Sequence, residues 1–563
     1  MISRLACLSL VALFVLCGCE SDRKGKCGTT GGEPIPESRV IGPVLGGLAD
    51  ADGGAPVNLT VSGHISFDRL SVTASGLDLL NPVNQNAVDV LVEAVAWNDI
   101  HNVLATANTD AIGDYTMNFS TTVDYFIRAR AQSGTGMNLD RVYHSQAVPA
   151  VVHAAPGQIL NRASGSQTVN LHAAADAGNR AGAFAVLDTV RRLRASVAST
   201  FPNLGPLDLF WGMGNSGTQF LQNGSGQTIT LATNTGLDGP NGNPSIYLLG
   251  GTTADLLNSD HDEFDESVIA HEWASFLQLT QSRDNNFGGV HFGEELIPSA
   301  AYSEGVVTAI GMALLDERIY RDTIGYVGGT SSVAFEFDLE SGTLPGTGVG
   351  YGNEFAITRA TWDLIDGSTG GPADGDADPS AIAMTDMLSS FAALKTRTSP
   401  YEVAWMASLL QQLVDDTLLS VGDANTIMTA HGAQFPPVGG DSFPTVLTVG
   451  APATTANLDA WSGANPNAIL GPQANGLWRI ELATSQSVTI DVTNTTTVYA
   501  ASAHRLELTV HDLFRNIVAQ DTGDASTKSV SVSLAAGTYI VRVQHRPDSQ
   551  TSSASTDFTV QAQ

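Results

Sequence analysis

At 563 residues the chain is long enough for three or four domains, and a hydrophobic share of 43% supplies their cores without disulfides. Fifty-seven acidic residues against 26 basic ones give a net charge of −31. That balance excludes nucleic acid as a partner and excludes polybasic attachment to anionic lipid.

The first 19 residues read as an export signal. Arg4 supplies a positive start, and Leu5 to Leu16 form an apolar run too short to remain as a spanning helix. Leu16-Cys17-Gly18-Cys19 then resembles the bacterial lipobox, which implies acylation at Cys19 and a mature N-terminus there. Glu20 in place of Asp gives no inner-membrane retention signal. The expected location is therefore the bacterial cell envelope, lipid-anchored, at the outer membrane or cell surface rather than the inner membrane. All four cysteines lie within the first 27 residues. Residues 20–55, rich in Gly, Pro, Ser and Lys, read as a flexible tether.

From Val57 apolar residues alternate with polar ones, and turn signals recur, which predicts a β-sandwich over 56–173. Its Thr109-Asp110-Ala111-Ile112-Gly113-Asp114-Tyr115 turn resembles the carboxypeptidase-regulatory, transthyretin-like fold. His64, His101, His144, His153 and His172 have no ligand spacing and read as structural.

Residues 174–439 form a mixed region with a helical face over 181–197 and strands at 207–211 and 245–249. Asp255, Asp260, Asp262, Glu263, Asp265 and Glu266 come next as an acidic run. Such a run can bind calcium but is more often a solvated loop that favours a helix N-terminus. After it stands an almost wholly apolar helix carrying His271, Glu272 and Ser275. Two histidines one turn apart on a helix can hold zinc, with the intervening Glu as general base. Here the second position is Ser275. A second apolar helix, opened by Pro298, carries the lone carboxylate Glu304, which is costly to bury unless paired or metal-bound.

These residues resemble the gluzincin metallopeptidases, the thermolysin-like class. More narrowly, Val268-Ile-Ala-His-Glu-Trp, Ser282-Arg-Asp, Gly288-Gly-x-His291 and Ser303-Glu-Gly resemble bacterial exported lipoproteins with zinc-protease domains. The resemblance implies zinc on His271 and Glu304, Glu272 as base, and a His where Ser275 stands. His291 is the nearest imidazole that could substitute as a ligand, and Tyr351 is a candidate oxyanion stabiliser by location only. It also implies that the strand at 245–251 lines the cleft and can pair with an extended peptide. Arg283 and Asp284 belong to the motif, with a local ion pair as their plain reading. Asp374, Asp376 and Asp378 form a further acidic loop, and helical patterns lie beyond it at 380–395, 401–414 and 424–431.

Strands return from 440 to 563, at 477–482, 488–492, 506–510, 530–534 and 537–543, and resemble a pre-peptidase C-terminal module. The expected fold is thus multidomain, a central α+β zincin-like metallopeptidase domain flanked by two all-β sandwiches, each able to fold alone. The expected function is a membrane-anchored zinc peptidase, impaired or inactive because Ser275 replaces a ligand. The alternative is a non-enzymatic surface protein that holds peptides or glycans.

Overall fold

A computed structural model describes residues 55–144, 151–176, 178–215, 234–236, 242–251, 258–287, 296–326, 329–340, 348–366, 379–398, 401–437, 443–458, 475–496, 506–523, 525–545 and 556–563. Cys19, Asp255, His291 and the Asp374–Asp378 loop lie outside them. The chain is multidomain, with β-sheets at both ends and seven helices between them among the described residues. None of these helices is long and apolar enough to cross a membrane.

The N-terminal sheets obey the alternation in the sequence. In Asp114–Thr121 every second residue is buried, so Tyr115, Met117, Phe119 and Thr121 face inward. That strand pairs antiparallel with the long first strand, Val57–Arg69. The turn leading into it is fixed by Asp110, whose Oδ1 accepts the amides of Ile112 and Asp114 at 2.9 Å each. Gly113 supplies the φ of 83° that the turn requires.

One sheet runs past residue 173, where the sequence suggested a domain boundary. Its strand order is Asn234–Gly236, Ser245–Tyr247, Leu207–Trp211, Asp140–His144, Tyr125–Ser133, Val90–Ala96 and Val103–Asn108. Leu207–Trp211 lies parallel to Asp140–His144 over five residue pairs, joining the central region to the N-terminal strands. Helix α1 (Arg180–Val197) covers both parts, and a single apolar core extends from Leu59 through Trp211 to Trp405 and Met428. The same order corrects the expected cleft strand. Ser245–Tyr247 is paired on both edges, so it cannot add a peptide; the outermost described strand is Asn234–Gly236.

Helices α2 (Glu266–Gln281), α3 (Pro298–Leu315) and α4 (Glu354–Ile365) form the centre, with α3 packed on both of the others. Two glycines set those distances. A Cβ on Gly311 would lie 2.7 Å from the Ala270 carbonyl oxygen of α2, and one on Gly305 would lie 2.6 Å from the Glu354 carbonyl oxygen of α4. No larger residue allows this approach. Helices α5 (Met384–Ala393), α6 (Met406–Asp415) and α7 (Val421–Ala430) complete the region. Between α3 and α4 lies a hairpin, Ile319–Gly325 with Ser331–Asp338, that the sequence pattern did not signal. The reason is visible in its first strand, where two of the buried positions are the polar Asp322 and Thr323.

The C-terminal sandwich has two sheets and its own core, in which Trp478 meets Phe558 edge-on at 5.9 Å. Beyond the five expected strands it contains Thr445–Val446, Thr454–Leu458, Ile517–Asp521 and Thr556–Ala562. The turn at 511–516 docks on the loop after α2. His511 meets the Phe287 ring at 4.7 Å, the Arg283 guanidinium lies 5.8 Å from the Phe514 ring, and Asn285 Nδ2 donates to the Leu513 carbonyl at 2.9 Å.

Candidate metal centre

Helix α2 is buried continuously from Ser267 to Gln278, so its polar side chains must find partners inside the protein. His271 finds two. Its Nδ1 lies 2.8 Å from Thr308 Oγ1, and that hydroxyl donates its own hydrogen to the Glu304 carbonyl, also at 2.8 Å. Thr308 can therefore only accept from His271, which places a proton on Nδ1 and makes Nε2 the nitrogen that can coordinate. Nε2 points at Glu304 Oε2, 3.3 Å away.

That spacing has chemical meaning. Zinc bonds of about 2.0–2.1 Å at the tetrahedral angle put two ligand atoms about 3.3–3.4 Å apart. The Glu304 carboxylate is held to present a single oxygen, since Oε1 accepts from Asn286 Nδ2 at 2.5 Å. Both groups are almost fully buried, His271 at 9% and Glu304 at 3% exposure. A lone pair and a carboxylate oxygen facing each other in a buried site call for a shared proton or a cation.

Ser275 does not extend the set. Its hydroxyl turns back to the His271 carbonyl at 3.2 Å, one turn toward the helix start. The described residues thus fit two of the three protein ligands that a catalytic zinc usually has. Glu272 is 2% exposed, and its charge acts on the Tyr320 phenol. Burial first, then Asp322, Asp262, Glu272 and Asp265, holds the Tyr320 phenol well above its ordinary range. Tyr351 is not presented as an oxyanion donor, because its hydroxyl donates to the Gln434 carbonyl at 2.8 Å and its ring packs on Trp405 at 4.8 Å.

Two readings of neighbouring residues change. Arg283 and Asp284 do not pair with each other. The Arg283 guanidinium donates to the carbonyls of Arg397, Lys395 and Glu402, whereas Asp284 Oδ2 lies 2.8 Å from Arg515 Nη1 of the C-terminal sandwich. Burial raises the Asp284 carboxyl above its usual range despite that arginine. Asp284 also accepts the Asn286 amide at 2.8 Å, so it orients the residue that holds Glu304. The acidic run before α2 is not a solvated loop either: Asp262, Glu263 and Asp265 are each at most 1% exposed. Glu263 accepts from Trp211 Nε1 at 3.0 Å and Asn179 Nδ2 at 2.6 Å, and Asp265 accepts from the Thr323 amide at 2.7 Å.

A polar surface pocket of about 420 Å³ lies against the first turn of α2 rather than at His271. Its Arg69 and Arg192 are already paired with Asp188 and Glu266.

No family model matches the chain, and no curated protein matches it. Among solved structures it is similar to the pre-peptidase C-terminal domain of a collagenase from Bacillus anthracis, at 11% identity. That likeness covers 21% of this chain and 93% of that one, with a TM-score of 0.15. A cycloisomaltooligosaccharide glucanotransferase from Paenibacillus sp., complexed with cycloisomaltoheptaose, is 10% identical over 88% of this chain and 72% of that one, with a TM-score of 0.12. At these scores neither likeness bears on fold or chemistry.

Proposed function

We propose that the chain is an exported, lipid-anchored envelope protein with a gluzincin-type peptidase site that is one imidazole short. It binds zinc weakly and hydrolyses peptides slowly or not at all. One observation carries the reading: His271 Nε2 stands 3.3 Å from Glu304 Oε2, with Nδ1 occupied by Thr308, which suits two ligands of one tetrahedral ion. In this reading zinc, when bound, supplies a Lewis acid and an acidified water. His271 and Glu304 would hold it, and Glu272 would stand as the general base beside it. The turned-back Ser275 hydroxyl favours the second reading, a cleft that retains a peptide or glycan without cutting it.

The deciding experiment is metal content and peptidase activity of protein purified without chelator, beside Ser275→His. The expected result is sub-stoichiometric zinc in the wild type and one tightly held zinc in the variant. Any activity gained should vanish in Ser275→His/Glu272→Gln while zinc stays. Stoichiometric zinc with robust hydrolysis by the wild type would overturn the reading, and so would failure of Ser275→His to bind zinc.

A further inference from the structure

Beside the zinc-type pair lies a group of carboxylates that it does not use. Asp260 and Asp262 precede α2, and Asp322 comes from the hairpin after α3; each offers an oxygen, and these three atoms lie within 4.8 Å of one another. The backbone holds them there. Asp260 forms an isolated bridge with Ile324, Asp262 accepts the Leu249 amide at 2.7 Å, and Asp265 anchors the strand by accepting the Thr323 amide and hydroxyl.

A second observation distinguishes this cluster from an ordinary acidic surface. Asp322 is only 7% exposed, and its Oδ1 has no hydrogen-bond partner. Asp260 Oδ1 is likewise buried and unpartnered, although the residue as a whole is half-buried. A buried carboxylate oxygen without a donor is costly, and several of like charge in one place are costlier still, unless they take up protons, as their burial favours, or a cation joins them. Oxygen-only donors select a hard ion. Three protein carboxylates suit calcium, which takes about six to eight oxygens in a flexible geometry, better than magnesium, which keeps several of its waters.

We propose that Asp260, Asp262 and Asp322 form a structural calcium site that ties the segment before α2 to the hairpin after α3. Asp265 braces it through Thr323, and the half-buried Asp260 leaves a way in for the ion. The proposal does not rest on zinc at His271.

The test uses the full chain, stripped with chelator and dialysed. Calcium alone, then magnesium alone, is titrated while thermal unfolding and bound metal are monitored. One calcium per chain should bind and raise Tm by about 5 °C at a hundredfold excess over Kd, with magnesium at least about tenfold weaker. Terbium bound there should be sensitised by Tyr320, whose phenol lies within the field of Asp322 and Asp262. Asp322→Asn should unfold no earlier than wild type without metal, because a like charge is gone, yet gain nothing from calcium. Should that variant fail to fold, Asp260→Asn gives the same readout from a half-buried position. His271→Ala should keep the calcium response, which separates this site from the zinc reading. A wild type whose Tm ignores calcium, or aspartate variants that respond as the wild type does, would overturn the proposal.

Discussion

Arg515 Nη1 lies 2.8 Å from Asp284 Oδ2, so a residue of the C-terminal sandwich neutralises a buried carboxylate beside Glu304. The same guanidinium donates to the Asn286 carbonyl at 2.5 Å. Its backbone sits at φ 65°, a region that glycine or asparagine would enter more easily. The guanidinium is thus placed at a backbone cost. Arg515→Leu leaves Asp284 buried and unpaired and should destabilise the docked protein by about 3–5 kcal/mol in urea unfolding. In a Ser275→His background it should also weaken zinc about 10- to 100-fold, through Asn286 and Glu304. Unchanged unfolding would show that this contact does not hold the sandwich in place.

Thr308 fixes which nitrogen of His271 carries the proton. Thr308→Val keeps the shape and removes the acceptor, so the imidazole can switch tautomer. In Ser275→His the expected loss is about tenfold or more in zinc affinity. Thr308→Ser should retain most of it. Equal affinities for the valine and serine variants would argue that the hydroxyl is incidental.

The two ends of the chain should behave differently as fragments. Residues 440–563 enclose their own core around Trp478, Ile490 and Phe558, and should unfold cooperatively alone. Residues 56–173 share both a sheet and a core with the central region, and should give no cooperative transition by circular dichroism. A sharp transition in the shorter N-terminal fragment would mean that the shared sheet is dispensable.

Acid should loosen the C-terminal contact. His511 is 5% exposed; its Nδ1 donates to the Arg515 carbonyl, and its Nε2 accepts from the Thr509 hydroxyl. Burial, aided by Arg542 and Arg515 and opposed by the Arg515 carbonyl and Asp512, lowers its pKa to about 4. A folded pKa below the unfolded value of about 6.5 means the native state binds fewer protons. Its contribution is therefore fully present above about pH 6.5 and is lost as pH falls toward 4, up to about 3 kcal/mol. His511→Gln should flatten that part of the stability curve measured by urea titration at each pH.

The parts of this molecule that are legible in its sequence are those governed by local pattern. The apolar runs of α2 and α3, with Pro298 opening the second, suffice to mark both helices, whereas the pairing of His271 with Glu304 is legible only through the resemblance to the gluzincin pattern. The alternation at 114–121 suffices for a strand. What escapes depends on residues far apart in the chain. Arg515 reaches Asp284 across the whole domain order, and nothing near either residue announces the other. Asp322 sits on a strand whose buried positions are polar, so the hydrophobic pattern that reveals strands is missing just where the acidic group assembles. Thr308 could have been found, since it lies one helical turn beyond Glu304 and so shares its face.

Among the described residues, the strand Asp140–His144 finds its parallel neighbour in Leu207–Trp211. During synthesis the N-terminal strands leave the ribosome first, and this one must wait with an open edge until α1 and the loop after it have emerged. An unpaired edge in a nascent chain invites pairing with another copy. The acidic surface, which keeps copies apart, and any chaperone that covers that edge thus matter most during this interval, before the centre of the protein exists.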